Sequence, residues 1–206
     1  VAASKQYEPI MDAEEYISKM ADFHLPRYDE IPEIDLYMDQ LIKYVSDQMD
    51  LLATLGDRPL TSSMVNNYVK QKLVPQPKSK RYERVHVAYL IVVCILKRTF
   101  SIADIQRLIA LEVQHHYQVQ EAYDFFCTAF EESLRILFVG HTAVDHVGVL
   151  RLAAHEGAFS VVIENAGDIN DARQVAISAA TSAATKVLVD KRLDWLQHDV
   201  ACSVND

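Results

Sequence analysis

Glycine and proline are scarce in this chain: five and six in 206 residues. An all-β protein needs both in its many turns, so the shortage points to a mainly all-α fold. Cysteine is scarcer still. Cys94, Cys127 and Cys202 are odd in number and far apart, with no C-x-x-C pair, which suggests neither a disulfide framework nor a zinc site. Cys94 falls inside an apolar run and reads as a small buried hydrophobe. That run, Val87–Leu96, is the longest in the sequence and has ten residues. A bilayer span needs about 20. No N-terminal segment joins a basic stretch, an apolar core and a small-residue cleavage site, so a cytoplasmic protein with no membrane contact is expected. The chain does not begin with Met, which suggests processing or truncation.

Catalytic signatures are missing as well. Neither G-x-G-x-x-G nor G-x-x-x-x-G-K occurs, and there is no G-x-S-x-G nucleophile turn. Glu112 with His115-His116, and His141 with Asp145 and His146, are loose groups without a second ligand cluster and read as solvated side chains. The sequence therefore predicts no enzyme, no catalytic residue, no metal and no cofactor.

What is present is an uneven charge. The net charge is −9, but residues 1–57 carry 4 Lys/Arg against 13 Asp/Glu, and residues 99–206 carry 7 against 15. Between them, residues 58–98 hold nine basic side chains against Glu83 alone. A nucleic-acid surface needs local positive potential, and acidic flanks keep the rest of a protein off the phosphates. The alternative is a basic patch paired with acidic neighbours inside the fold.

Hydrophobic spacing divides the chain into an acidic, loosely structured arm over 1–33, a compact unit over 34–113 and a helical region over 114–206. The arm contains Pro9, Pro26 and Pro32, with a short helix expected over Asp12–Ala21. Pro32 with Glu33 and Asp35 suggests the start of a helix over 34–55, carried by Tyr37, Leu41, Val45, Met49 and Leu52 and stopped at Gly56. Thr61 is a good N-cap for a short helix to about Leu73, with Val65, Tyr68, Val69 and Leu73 on its apolar side. Ser63, Asn66, Asn67 and Lys70 share another face at i, i+3, i+4 and i+7. Pro75 and Pro77 end that helix, and Gln76–Tyr82 form a basic excursion. A helix over Arg84–Arg98 is apolar all round and therefore buried on all sides. Ser101 caps another helix, with Asp104 three residues on. Further helices follow over 118–139 and, rich in Ala and Ser, over 172–198, while 140–171 gives no clear period.

A short helix with a polar face, a proline-ended turn, a basic excursion and a second helix is the layout of a winged helix-turn-helix. Asn66 or Asn67 would supply the amide that reads adenine in the major groove, with Ser63 and Lys70 beside them. Lys72, Lys78, Lys80, Arg81 and Arg84 would neutralise phosphates. Val65–Leu73, Pro75, Lys80-Arg81-Tyr82 and Phe100–Ile105 together resemble the MerR regulators, in which an L-R-Y-Y-E-x-x-G-L helix precedes a proline, a Y-R-R-Y wing and a G-F-S-L-x-E-I helix. Tyr68, Leu73, Arg81 and Tyr82 match. Asn66 and Asn67 stand where Arg and Tyr are usual, Lys72 replaces Gly, and Ser79 replaces the first wing Tyr. The resemblance implies that Tyr68 and the Lys80-Arg81 pair contact backbone phosphate and that Asn66 and Asn67 have a new base preference; Tyr82 is a further phosphate candidate. It also implies a dimer formed through the helix after the DNA-binding unit, here 118–139.

Leu25-Pro26-Arg27-Tyr28, Ile31-Pro32 and Thr61–Lys70 also resemble the bacterial family labelled domain of unknown function 1836, whose members carry T-x-S-M-I-N-N-Y-V-K. That family has no established activity. Two functions are expected as alternatives: a homodimeric transcription regulator on double-stranded DNA, with an effector unspecified, or a protein–protein interaction module that keeps the fold without binding DNA.

Overall fold

A computed structural model of the chain describes residues 11–54, 57–114, 118–139 and 171–203. The expected stop at Gly56, the His115-His116 and His141/Asp145/His146 groups, and the stretch 140–170 lie outside the described residues. Helices dominate: α1 Ala13–Ala21, α2 Met38–Met49, α3 Ser62–Lys70, α4 Arg84–Leu96, α5 Ile102–Gln114, α6 Val119–Val139 and α7 Asp171–Ser203. Among the described residues the extended pairing is limited to two isolated antiparallel bridges, Leu36 with Tyr82 and Lys78 with Arg81. No helix of the described residues is long and apolar enough to cross a membrane.

α4 forms the axis of the core, as its composition predicts. His86, Val87, Ala88, Leu90, Ile91, Val93, Ile95 and Leu96 are all buried on it. At its start the Glu83 N–H donates to His86 Nδ1 (2.9 Å), which closes the first turn and places the imidazole edge-on to Tyr82. α6 and α7 pack along each other, and the small side chains Ala179, Ala180, Ala183 and Ala184 are buried on α7. α6 buries Tyr123, Phe126, Phe130, Leu134 and Phe138 within this chain. The apolar face of 118–139 expected to meet a second subunit is thus covered by α1 and α7 of the same chain.

The segment 11–33 departs from the expected loose arm. Helix α1 forms where expected, but Tyr16, Met20, Leu25 and Ile31 are buried in the common core. Carboxylates of α6 fix the chain after α1. Glu131 Oε1 accepts from the Leu25 N–H (2.6 Å) and from Arg27 Nη1 (2.7 Å), and Asp124 Oδ1 accepts from the Tyr28 N–H (2.7 Å). The buried Tyr123 hydroxyl donates to the Pro26 carbonyl (2.7 Å). Partners about a hundred residues away satisfy backbone groups that prolines and turns leave unpaired.

α2 also begins later than expected. Pro32, Glu33 and Asp35 do not start it, because Leu36 exchanges two hydrogen bonds of 2.9 Å with Tyr82 and holds the backbone extended through Tyr37. Gln40 Oε1 accepts the Tyr37 N–H (2.9 Å) and completes the helix start.

Candidate nucleic-acid interface

α3 begins as its sequence dictates: Thr61 is extended and its Oγ1 accepts the Met64 N–H (3.3 Å). Its end falls three residues before the expected Leu73. The Leu73 N–H bonds to the Tyr68 carbonyl (2.9 Å) and the Lys72 N–H to the Val69 carbonyl (3.0 Å), with Lys72 at φ 60°. This is the glycine-type helix stop, with a lysine in the left-handed position. The prolines follow the stop and do not cause it.

Beyond it the chain forms a tight hairpin. Arg81 N–H donates to the Lys78 carbonyl (2.8 Å), and the two residues between, Ser79 and Lys80, have φ of 51° and 60°. Two successive positive φ values are the mark of a type I′ turn, which glycine and asparagine normally occupy. Lys72, Ser79 and Lys80 are the non-glycine residues with positive φ among the described residues, and all three are exposed.

The candidate base readers Ser63, Asn66, Asn67 and Lys70 are all exposed on α3. Asn67 Oδ1 accepts from Gln71 Nε2 (3.1 Å), and the Gln71 carbonyl accepts from Gln106 Nε2 of α5 (2.6 Å), so the end of α3 is tied to the next helix. Lys72, Lys78 and Lys80 are exposed too. With Lys70 they form no ion pair among the described residues.

Four of the expected phosphate contacts are placed differently from the lysines. Tyr68 and Tyr82 are each only 4% exposed, and their rings belong to the core. For Tyr68 the apolar spacing of α3 predicts the buried ring. Arg84 pairs with Asp29 (3.3 Å) and lies over the Tyr28 ring, 5.5 Å from its centroid. Unlike the lysines it already has a carboxylate partner, although the Asp29 side chain is 74% exposed. Arg81 is intermediate: half-buried, with its guanidinium stacked on Tyr37. Sequence reasoning also missed Asp29 and Tyr37, since neither partner is near in sequence to the arginine it engages.

At the far end of α4, Arg98 pairs with Asp57 (2.7 Å) and reaches Asp190 of α7 (3.6 Å). The basic block therefore divides into two arginines paired within the chain, Arg84 and Arg98, a half-buried Arg81, and exposed residues at Lys70, Lys72, Lys78 and Lys80 and, apart from these in sequence, Arg58 and Lys97. Among the described residues no group of three His, Cys, Asp or Glu is placed to hold a metal ion.

The geometry defines a helical core bearing a short polar helix and a basic hairpin. Residues 26–126 match the family described as Domain of unknown function (DUF1836), which supports the assignment that the Thr61–Lys70 motif suggests. No curated protein and no solved structure matches the chain.

Proposed function

We propose that the chain is a sequence-specific DNA-binding regulator of MerR-like type, with α3 in the major groove and the 78–81 hairpin as its wing. The observation that carries this reading is the sorting of charge. Arg84 and Arg98 are paired with acids of the fold, whereas Lys70, Lys72, Lys78 and Lys80 are exposed, as are Asn66 and Asn67, and form no ion pair among the described residues. Lysines held without counter-charges on one surface suit a polyanion. Strained backbone at Lys72, Ser79 and Lys80 supports the same surface, because such residues collect at functional sites. Two copies would read half-sites related by a two-fold. With α6 already covered, the subunit contact falls on another face.

One observation favours the second reading, an interaction module for an acidic protein. The connection from α2 to α3 runs over 50–61, longer than the turn of about 3–4 residues usual between paired DNA-binding helices. Selection of bound sequences from a random duplex pool, with anisotropy at several salt concentrations, separates the two. The DNA reading requires an enriched sequence and an affinity falling with a log–log salt slope of about −0.9 per neutralised phosphate. No enrichment and no duplex binding at low salt would overturn it in favour of the interaction module.

A further inference from the structure

Where α4, α5, α6 and α7 meet, they leave a space of about 100 Å³. Four of the residues that line it are alanines on three helices: Ala88 of α4, Ala122 of α6, and Ala176 and Ala179 of α7. The space exists because these side chains stop at Cβ where longer ones would meet. α5 contributes Leu108 and Ile109. Val175, which is 40% exposed, also lines it and gives it contact with solvent.

Its chemistry is one-sided. Among the described residues no charged side chain lines it, and the polar side-chain atoms of its lining are the hydroxyls of Tyr89 and Tyr123. Tyr123 is already committed, donating to the Pro26 carbonyl (2.7 Å). A water molecule placed there finds too few partners, since it needs roughly two to four. An apolar space that water does not fill costs stability, because the side chains around it lose contacts. An apolar guest restores those contacts with no polar group to desolvate. Two larger open cavities mix acids and bases in their linings, Asp50 with Lys191 in one and Asp57 with Arg58 in the other, and select no ligand class.

We propose that this space is a binding site for a small neutral apolar molecule, the size of a single hydrocarbon ring. Dry apolar cavities of about 150 Å³ take up benzene, and the solvent contact beside Val175 lets such a ring extend beyond the 100 Å³ between the helices. The lining binds by contact alone, so a charge added to the ring is desolvated without a counter-charge and is penalised. α5 also carries Gln106, whose Nε2 donates to the Gln71 carbonyl at the end of α3 (2.6 Å). A molecule seated against Leu108 and Ile109 therefore acts on the helix tied to the one that bears Asn66 and Asn67. An effect on DNA affinity rests on the function proposed above; binding of the apolar molecule does not.

The test is isothermal calorimetry on the full chain without DNA, titrating toluene, benzoate and benzylammonium. Toluene should bind saturably at one per chain, and the two charged rings at least about tenfold more weakly. Ala122→Leu and Ala176→Leu each add apolar volume from a half-buried position and should abolish toluene binding. Val92→Ala, which enlarges the space, should keep it. Circular dichroism matching the parent's decides which filled variant is read. No saturable toluene binding by the parent, equal binding of the three probes, or a folded filled variant that binds toluene like the parent would each overturn the proposal. Failure of DNA selection would leave these outcomes as they are.

Discussion

The guanidinium of Arg81 lies 3.8 Å from the centroid of the Tyr37 ring, joining the last residue of the hairpin to the residue that opens α2. One residue along on each side, Leu36 and Tyr82 share their backbone hydrogen bonds. The hairpin is thus anchored twice at its base, by backbone and by side chain, while its tip at Ser79 and Lys80 is exposed. Tyr37 is itself 51% exposed, so the stacking is worth what a solvated cation–π pair is worth. Tyr37→Ala should lower unfolding free energy by about 0.5–1 kcal/mol in urea titration, and Tyr37→Phe should restore most of it. Equal losses for both variants would mean that the ring face contributes nothing.

Lys72 gives a prediction in which stability and function move in opposite directions. Its side chain is exposed while its backbone occupies the left-handed region, a conformation that costs a residue with a Cβ about 1 kcal/mol relative to glycine. Lys72→Gly should therefore raise the denaturant midpoint, by about 1 kcal/mol of unfolding free energy. If Lys72 contacts phosphate, the same variant should weaken duplex binding and reduce the salt slope by about 1. A stabilised variant with unchanged DNA affinity and slope would remove Lys72 from the interface.

The clamp between the 24–30 segment and α6 is the third test. Both oxygens of Glu131 are engaged by Arg27, and its Oε1 also takes the Leu25 N–H, with side-chain exposures of 15% for Glu131 and 28% for Arg27. His24 stands 3.5 Å away through Nδ1. Glu131→Ala leaves a half-buried guanidinium and a buried N–H without an acceptor, and should cost about 3 kcal/mol. Glu131→Gln, which keeps one oxygen acceptor, should cost less. An alanine variant that unfolds at the parent's midpoint would show that the arm is held by its apolar residues alone.

The legibility of these features follows how far their causes reach along the chain. The starts of α3 and α5 could be read directly, because Thr61 and Ser101 each accept an N–H three residues on. The burial of α4 was equally plain from its composition. The end of α3 was not legible, since a lysine in the left-handed position carries none of glycine's signal. The true start of α2 depends on Tyr82, and the docking of 24–30 depends on Asp124 and Glu131, partners that spacing arguments never bring together. The candidate surface was legible as a basic block but not as individual charges. Nothing local distinguishes Arg84, which meets Asp29, from Lys80, which meets no acid among the described residues.

Alkaline pH should expose the tyrosines that bind the N-terminal segment to the core. Tyr123 is 3% exposed and donates to the Pro26 carbonyl, and Tyr16 is 2% exposed and donates to the Leu51 carbonyl (3.0 Å). Burial pushes both phenols well above their ordinary value of 10.0. The folded protein therefore keeps protons that the unfolded chain releases near pH 10. Their stabilising contribution is complete below that pH and is lost as the pH rises toward the folded-state values. The unfolding free energy from urea titration should begin to fall near pH 9, where the unfolded chain ionises the buried thiols Cys94 and Cys127, and fall more steeply above pH 10, by up to about 1.4 kcal/mol per pH unit for each such tyrosine. Tyr123→Phe should cost about 1 kcal/mol at pH 8 through the lost hydrogen bond, yet decline less steeply above pH 10. Parallel profiles for the variant and the parent would show that ionisation of Tyr123 does not drive the alkaline loss.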